Sequence, residues 1–233
     1  MSTIDDTKRK AALAAVSEVW IGAETGRPVV VGLGSGSTAR IFVEELAKAL
    51  DGRQLLGVPS SESTRVLAAS LGLALLGDEG PWCVDVNVDG ADEVSEALDL
   101  IKGGGAAHAR EKIVNYAARR NIVIVDASKL SGRLGERWPV PIEVLKFAHG
   151  TTRAHLEALG RPELRVTRDG APVETDAGNL IYDLRVEPIA DPAALDAALH
   201  TIPGVVETGL FVGRADVVLV AGAGGVRRRV RRA

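Results

Sequence analysis

The sequence predicts an α/β protein: a doubly wound, mostly parallel, Rossmann-like sheet joined to a second, smaller α+β domain. Three observations carry this. Short β-branched runs alternate with runs of helical period through the first half, the order of a parallel sheet. Each glycine-rich or acidic motif follows the end of such a run, where doubly wound sheets place their ligands. Beyond Arg133 the texture changes to shorter strands and Pro/Gly punctuation, and a buried-type strand returns near the end.

Taken in order, Asp5-Asp6-Thr7 offers capping side chains before an Ala/Val/Leu-rich helix over Ala11 to Trp20. Pro28 to Val31 reads as a buried strand ending at glycine. Ala39, Phe42, Val43, Leu46, Ala47 and Leu50 recur at i, i+3, i+4, i+7, i+8 and i+11, an amphipathic helix. Leu55 to Val58 is a strand, Pro59 to Ser63 a polar loop, and Arg65 to Ser70 part of a helix. Val84 to Val88 alternates with period two, Ala106 to Arg120 is helical, and Ile122 to Val125 is a continuous apolar strand.

In the second half, Trp138-Pro139-Val140-Pro141 punctuates. Strands are expected at Leu164 to Thr167 and Leu180 to Val186, helices at Thr152 to Leu159 and Pro192 to His200, and a turn at Asp169-Gly170. Ala215 to Val220 then resembles the buried strands of the first half. The expected partition is therefore 1–133 with 207–233 as a large catalytic domain and 134–206 as a small one. No internal repeat or low-complexity segment is evident.

With 233 residues, 46% of them hydrophobic, the chain can bury a substantial core. Aromatics are only 3%, so that core is aliphatic. A net charge of -3 argues against general nucleic-acid binding. The basic run Arg227-Arg228-Arg229-Val230-Arg231-Arg232 reads as a solvated, frayed terminus. Cys83 is the sole cysteine, which excludes an internal disulfide and a cysteine-based metal cluster, and it reads as a small core hydrophobe. The polar, acid-containing N-terminus is unlike a secretory leader, and no apolar stretch approaches the ~20 residues of a membrane span. The expected location is the cytoplasm.

Three motifs carry chemistry. Gly32-Leu33-Gly34-Ser35-Gly36-Ser37-Thr38 can turn tightly and present N–H and hydroxyl donors to a phosphate at a helix N-terminus. It lacks the third glycine of a dinucleotide fingerprint and the Gly-Lys-Ser/Thr ending of a nucleotide P-loop, and read alone it is equally a tight strand-to-helix turn. Asp89-Gly90-Ala91-Asp92-Glu93 crowds three acids at a strand end, which costs stability unless a cation or ligand compensates. Function is favoured for Asp89 and Asp92, and a solvated or capping role for Glu93. Asp85 and Asn87 point away from the Val face and serve backbone groups. Lys102 is the nearby cation. The run Gly103-Gly104-Gly105 behind it is entropically costly and is justified by close approach of backbone to ligand. Glu111 follows on a helix, where a single glutamate is ordinarily solvated.

These residues resemble the type A ribose-5-phosphate isomerase family. Its succession of G-x-G-S-T, D-G-A-D-E, K-G-G-G followed by R-E-K-I, and D-x-S-K is matched here, the last by Asp126-Ala127-Ser128-Lys129. Gly178-Asn179-Leu180-Ile181 and the run from Pro203 to Phe211 extend the likeness over nearly the whole chain. The resemblance implies that Glu111 is the base that takes the C2 proton and that Lys102 stabilises the enediolate oxyanion. It implies that Asp89 assists ring opening and that Asp92 holds the sugar hydroxyls and Lys102. Ser35, Gly36, Ser37, Thr38 and Lys129 would bind the phosphate end, and Gly90, Ala91, Gly103, Gly104 and Gly105 would line the substrate. It further implies a small sugar phosphate as substrate, no metal or other cofactor, no nucleic-acid or membrane partner, and a homodimer or homotetramer.

The sequence departs from the family in places. Ser35 replaces the commoner Thr, and Ser60-Ser61 stands where Thr-Ser is frequent. His108 stands where an apolar residue is expected and is read as facing solvent. Lys146 to Thr152 is unlike the usual stretch. Two other readings compete. An amino-sugar phosphate deaminase would share the glycine loop but not the K-G-G-G…R-E-K arrangement. A sugar-phosphate sensor would have no need of Glu111 and would be expected to carry a helix-turn-helix, for which there is no room before Pro28.

Overall fold

The computed structural model describes residues 3–21 and 26–231. The first elements are α1 (Thr3–Val19), β1 (Val29–Leu33), α2 (Gly36–Lys48), β2 (Leu55–Pro59), α3 (Glu62–Ser70) and β3 (Val86–Asp89). There follow β4 (Glu93–Val94), β5 (Leu100–Ile101), α4 (His108–Ala117), β6 (Asn121–Asp126), a 3-10 turn (Ala127–Lys129) and β7 (Val140–Val144). The chain closes with α5 (His149–Leu156), β8 (Arg161–Leu164), β9 (Leu180–Arg185), α6 (Pro192–His200), β10 (Val205–Thr208), β11 (Leu210–Phe211), β12 (Val217–Gly222) and β13 (Gly225–Val230). Two compact units result: Met1–Gly90 with Arg110–Ser128 and Arg214–Ala233, and Ala91–Ala109 with Lys129–Gly213. The expected partition differs from this chiefly at residues 91–109, which group with the second unit.

The first unit is built on a six-stranded sheet of order β13-β12-β6-β3-β1-β2. All neighbours pair in parallel except β12 and β13. Apart from the edge strand β13, its strands are mainly apolar because both faces are covered. Val29, Val31 and Leu33 pack into a core with Ala11, Ala15, Phe42 and Leu46 of α1 and α2, whereas the intervening Val30 packs with Val58, Val84 and Val114 of α4. The chain leaves β1 for β2 on one side and returns to β3 on the other. The ends of β1 and β3 thus form a topological switch point, the usual ligand position in such sheets.

The arginine-rich segment is a correction. Residues Gly225–Val230 are the antiparallel edge strand β13, not a frayed terminus; Arg232 lies outside the described residues. Arg228 Nε donates to Glu18 Oε1 at 2.9 Å, and Arg120 donates to the other oxygen of the same carboxylate. Charged edge strands also resist pairing with foreign strands. Cys83 is exposed rather than a core residue. The first helix starts at Thr3, earlier than expected, with Asp5 and Asp6 in its first turn, where they complement the helix dipole.

The second unit holds an antiparallel sheet of order β10-β7-β9-β8 and a small sheet β11-β5-β4. Tyr182, Ile142, Leu156 and Leu199 pack in its core. The segment read as punctuation contains the start of β7, an inner strand. Pro141 is tolerated there because its nitrogen faces the β10 side beyond the last β10 pair, Thr208 with Ile142, so no ladder donor is lost, while its carbonyl still accepts from the Gly209 amide at 2.6 Å. The strand expected at Leu164 to Thr167 lies earlier, at Arg161–Leu164. The turn at Asp169-Gly170 is present, with Gly170 at φ +85 and its amide 3.0 Å from the Thr167 carbonyl.

Candidate active site

In the first unit the glycine loop runs from the end of β1 into α2. The Gly34 amide donates to the Val88 carbonyl at 3.0 Å. A Cβ on Gly34 would lie 2.6 Å from the Cα of Asp89, so only glycine fits between β1 and β3. The buried Asp89 carboxylate accepts from the amides of Ser35 at 3.0 Å and Gly90 at 2.7 Å. Ser35 is the N-cap of α2 by backbone conformation, and its hydroxyl lies 2.8 Å from that of the buried Ser60. Thr64 donates to the Gly34 carbonyl at 3.0 Å. The loop is thus fixed by serine and threonine side chains behind it, while Gly36 and Ser37 are exposed at the start of α2. The opening amides of a helix lack partners within it and suit an anion.

One cation at this loop was not read from the sequence. Lys8 of α1 donates its ammonium to the Ser37 hydroxyl at 2.9 Å. Nothing local distinguishes Lys8 from Lys10, which pairs instead with Asp6. Only the packing of α1 selects it.

Glu111, in the first turn of α4, is 5% exposed, so it is not an ordinary solvated helix glutamate. Asp85 accepts from the Val30 amide at 2.9 Å, as read, but also pairs with the Arg27 guanidinium; Asn87 departs from the reading, its side chain meeting another side chain rather than a backbone group. The Arg27 guanidinium beside Asp85 holds its carboxyl below the usual carboxylate range, against the opposing effect of burial, and the Val30 amide assists. Asn87 bonds Asn121 at 3.1 Å.

In the second unit, Asp92 and the Lys102–Gly105 segment come together. The Asp92 carboxylate accepts from the Gly104 amide at 2.7 Å. The Lys102 amide donates to the Gly209 carbonyl at 2.9 Å, and the 4%-exposed Lys102 side chain lies over the Phe211 ring at 5.4 Å. Gly103 has φ +108, and a Cβ there would lie 2.7 Å from Nδ1 of His108. His108 is fully buried, not solvent-facing; its Nε2 lies 3.3 Å from the Glu207 carbonyl oxygen. Glu93 is buried too: it accepts from the Gly135 and Arg137 amides at 2.8 and 3.0 Å, tying down a loop. Lys129 stacks its ammonium 5.1 Å from the Trp138 ring. Gly90 and Ala91 are half-buried, and Gly105 is exposed.

Residues 56–225 match the family model described as ribose 5-phosphate isomerase A (phosphoriboisomerase A). The chain belongs to the ribose 5-phosphate isomerase A family. A family member from Thermosynechococcus vestitus, named ribose-5-phosphate isomerase A, is 47% identical over 93% of this chain and 92% of its own. The ribose 5-phosphate isomerase A structure from Methanocaldococcus jannaschii superposes with a TM-score of 0.90 at 37% identity, covering 98% of this chain and 100% of the other. A D-ribose-5-phosphate isomerase solved in complex with phospho-erythronic acid gives a TM-score of 0.91 at 37% identity, over 99% and 100%. Among the described residues no helix is long and apolar enough to cross a membrane. Within this family frame, the glycine loop, Asp89 and Glu111 belong to the first unit, and Asp92, Lys102 to Gly105 and Lys129 to the second.

Proposed function

We propose that this chain is an aldose–ketose isomerase that interconverts ribose 5-phosphate and ribulose 5-phosphate, in the non-oxidative branch of the pentose phosphate pathway. The observation that carries the reading is the burial of Glu111 and Lys102 in a chain of this family, at 5% and 4% exposure. Glutamate and lysine are seldom buried unless paired or at work.

In the proposed reaction Glu111 takes the C2 proton of the open-chain aldose and returns it to C1 on the same face of a cis-enediolate. The O2 proton moves to O1, leaving a C2 ketone. A carboxylate of ordinary pKa ~4.3 is a weak base for a carbon acid, so the developing oxyanion needs an electrophile, and Lys102 supplies that charge. Asp89 assists ring opening, and Asp92 holds sugar hydroxyls. Gly36, Ser37 and Thr38 of the α2 N-terminus bind the phosphate, with Ser35 and Lys129, and Lys8 adds a cation at Ser37. Gly90, Ala91 and Gly103 to Gly105 line the sugar. A related structure holds a phosphorylated sugar acid, whose planar carboxylate resembles an enediolate in shape and charge. No metal or redox group has a role in this chemistry. Family membership also supports a cytoplasmic homodimer or homotetramer.

A coupled or ultraviolet assay of ribose 5-phosphate against ribulose 5-phosphate tests the reading. Turnover of that pair supports it. Inactivity on the pair with release of ammonia from glucosamine 6-phosphate replaces it with the deaminase.

A further inference from the structure

We propose that Arg165 is a positioning residue that locks one peptide group of the Lys102–Gly105 loop, and through it Asp92. The inference rests on the site assignment above. Arg165 directly follows β8, and its side chain is 15% exposed. Its Nη1 donates to the Gly103 carbonyl at 2.7 Å and lies 3.4 Å from that of Gly104. Its Nε and Nη2 form a fork on the Asp183 carboxylate of β9, at 2.9 and 2.5 Å.

The Gly103 carbonyl and the Gly104 amide are the two ends of one peptide plane. The guanidinium takes the oxygen at one end, and the Asp92 carboxylate takes the Gly104 N–H at the other, at 2.7 Å. In a run of three glycines such a peptide otherwise rotates at little steric cost. Fixing both ends selects one orientation. A cation on the carbonyl also polarises the amide and strengthens its bond to Asp92. Asp183 holds the guanidinium in place and balances its charge, so Arg165 acts as a brace rather than as a second cation for the substrate. A lysine cannot hold Asp183 bidentately and reach the Gly103 carbonyl with the same fixed geometry.

The consequence is catalytic because small displacements of positioned groups are expensive; a 1 Å misplacement can cost about 10²-fold. Arg165→Met should lower kcat by about 10–100-fold. Competitive inhibition by inorganic phosphate, which reports on the α2 loop, should be unchanged. The Gly104 amide should shift in the ¹⁵N–¹H spectrum and lose protection from hydrogen exchange. Added guanidinium at millimolar concentration should restore part of kcat, and Arg165→Lys should be only partly active. Should Arg165→Met fail to fold, Asp183→Asn and Arg165→Lys carry the test, each expected to lower kcat and move the Gly104 amide. Folded Arg165 variants with kcat within twofold of wild type and an unmoved Gly104 amide overturn the proposal. A Glu111→Gln enzyme of wild-type activity would instead overturn the underlying site assignment.

Discussion

The Asp89 carboxylate accepts the Ser35 amide at 3.0 Å, joining the loop after β1 to the end of β3 across the switch point of the sheet. Gly34 lies between them with no room for a side chain. The loop that is proposed to receive the phosphate and the carboxylate that is proposed to open the sugar ring are therefore one structural piece.

Gly34→Ala tests that coupling. Its Cβ meets the Asp89 backbone at 2.6 Å, which the flexible end of a side chain cannot relieve. Overpacking of this kind costs about 1–3 kcal/mol. Thermal melts should show the loss of stability, and kcat/KM should fall at least tenfold, by about 1.4 kcal/mol or more of transition-state binding. A variant as stable and active as wild type would show that the loop and Asp89 move independently.

Ser37→Ala, Thr38→Ala and Lys8→Ala should mainly raise KM for phosphorylated sugars. Donors to a phosphate remote from the reacting carbons contribute uniform binding, so kcat should change little. Steady-state kinetics decide this, and a fall in kcat at unchanged KM would place these groups at the reaction centre.

Chelation should leave turnover intact. Among the described residues, Asp196, His200 and Glu207 lie close enough together to hold a metal ion, and they include none of the proposed site residues. Loss of activity on EDTA treatment with recovery on adding a divalent ion would contradict this.

Asp85→Asn should destabilise the fold at neutral pH by about 1.5–3 kcal/mol, the range for hydrogen bonds to charged groups. The Arg27 bond lowers the folded-state pKa of Asp85. Its contribution is therefore fully present above the unfolded value of about 3.9 and is lost as pH falls through the lower folded value. Urea unfolding at neutral pH and at acid pH should show the gap between variant and wild type closing toward acid. A gap independent of pH would remove the charge as its cause.

Much of this was legible because parallel strands covered on both faces are apolar runs, as at β1, β2, β6 and β12. The unread strands lack that signature. β13 carries three consecutive arginines on a sheet edge, and β7 contains an internal proline, so both read locally as non-strand. Asp89 and Asp92 stood out because acids crowd at a strand end. His108 reads as solvent-facing because its burial comes from residues far along the chain, the Glu207 carbonyl facing it among them; Glu93 does cap backbone amides, those of Gly135 and Arg137, but from a buried position. Lys8 had no local signal at all, since its partner Ser37 lies 29 residues away.

The central claim is that Glu111 is the carbon base, and exchange of the substrate's C2 hydrogen with solvent deuterium measures it most directly. Glu111→Gln should keep the fold and bind substrate, lower kcat by about 10²–10⁴-fold, and abolish that exchange, because the proton can no longer leave carbon. A folded Glu111→Gln protein that still exchanges the C2 hydrogen at near wild-type rate would contradict the account and move the search for the base to Asp89 and Asp92.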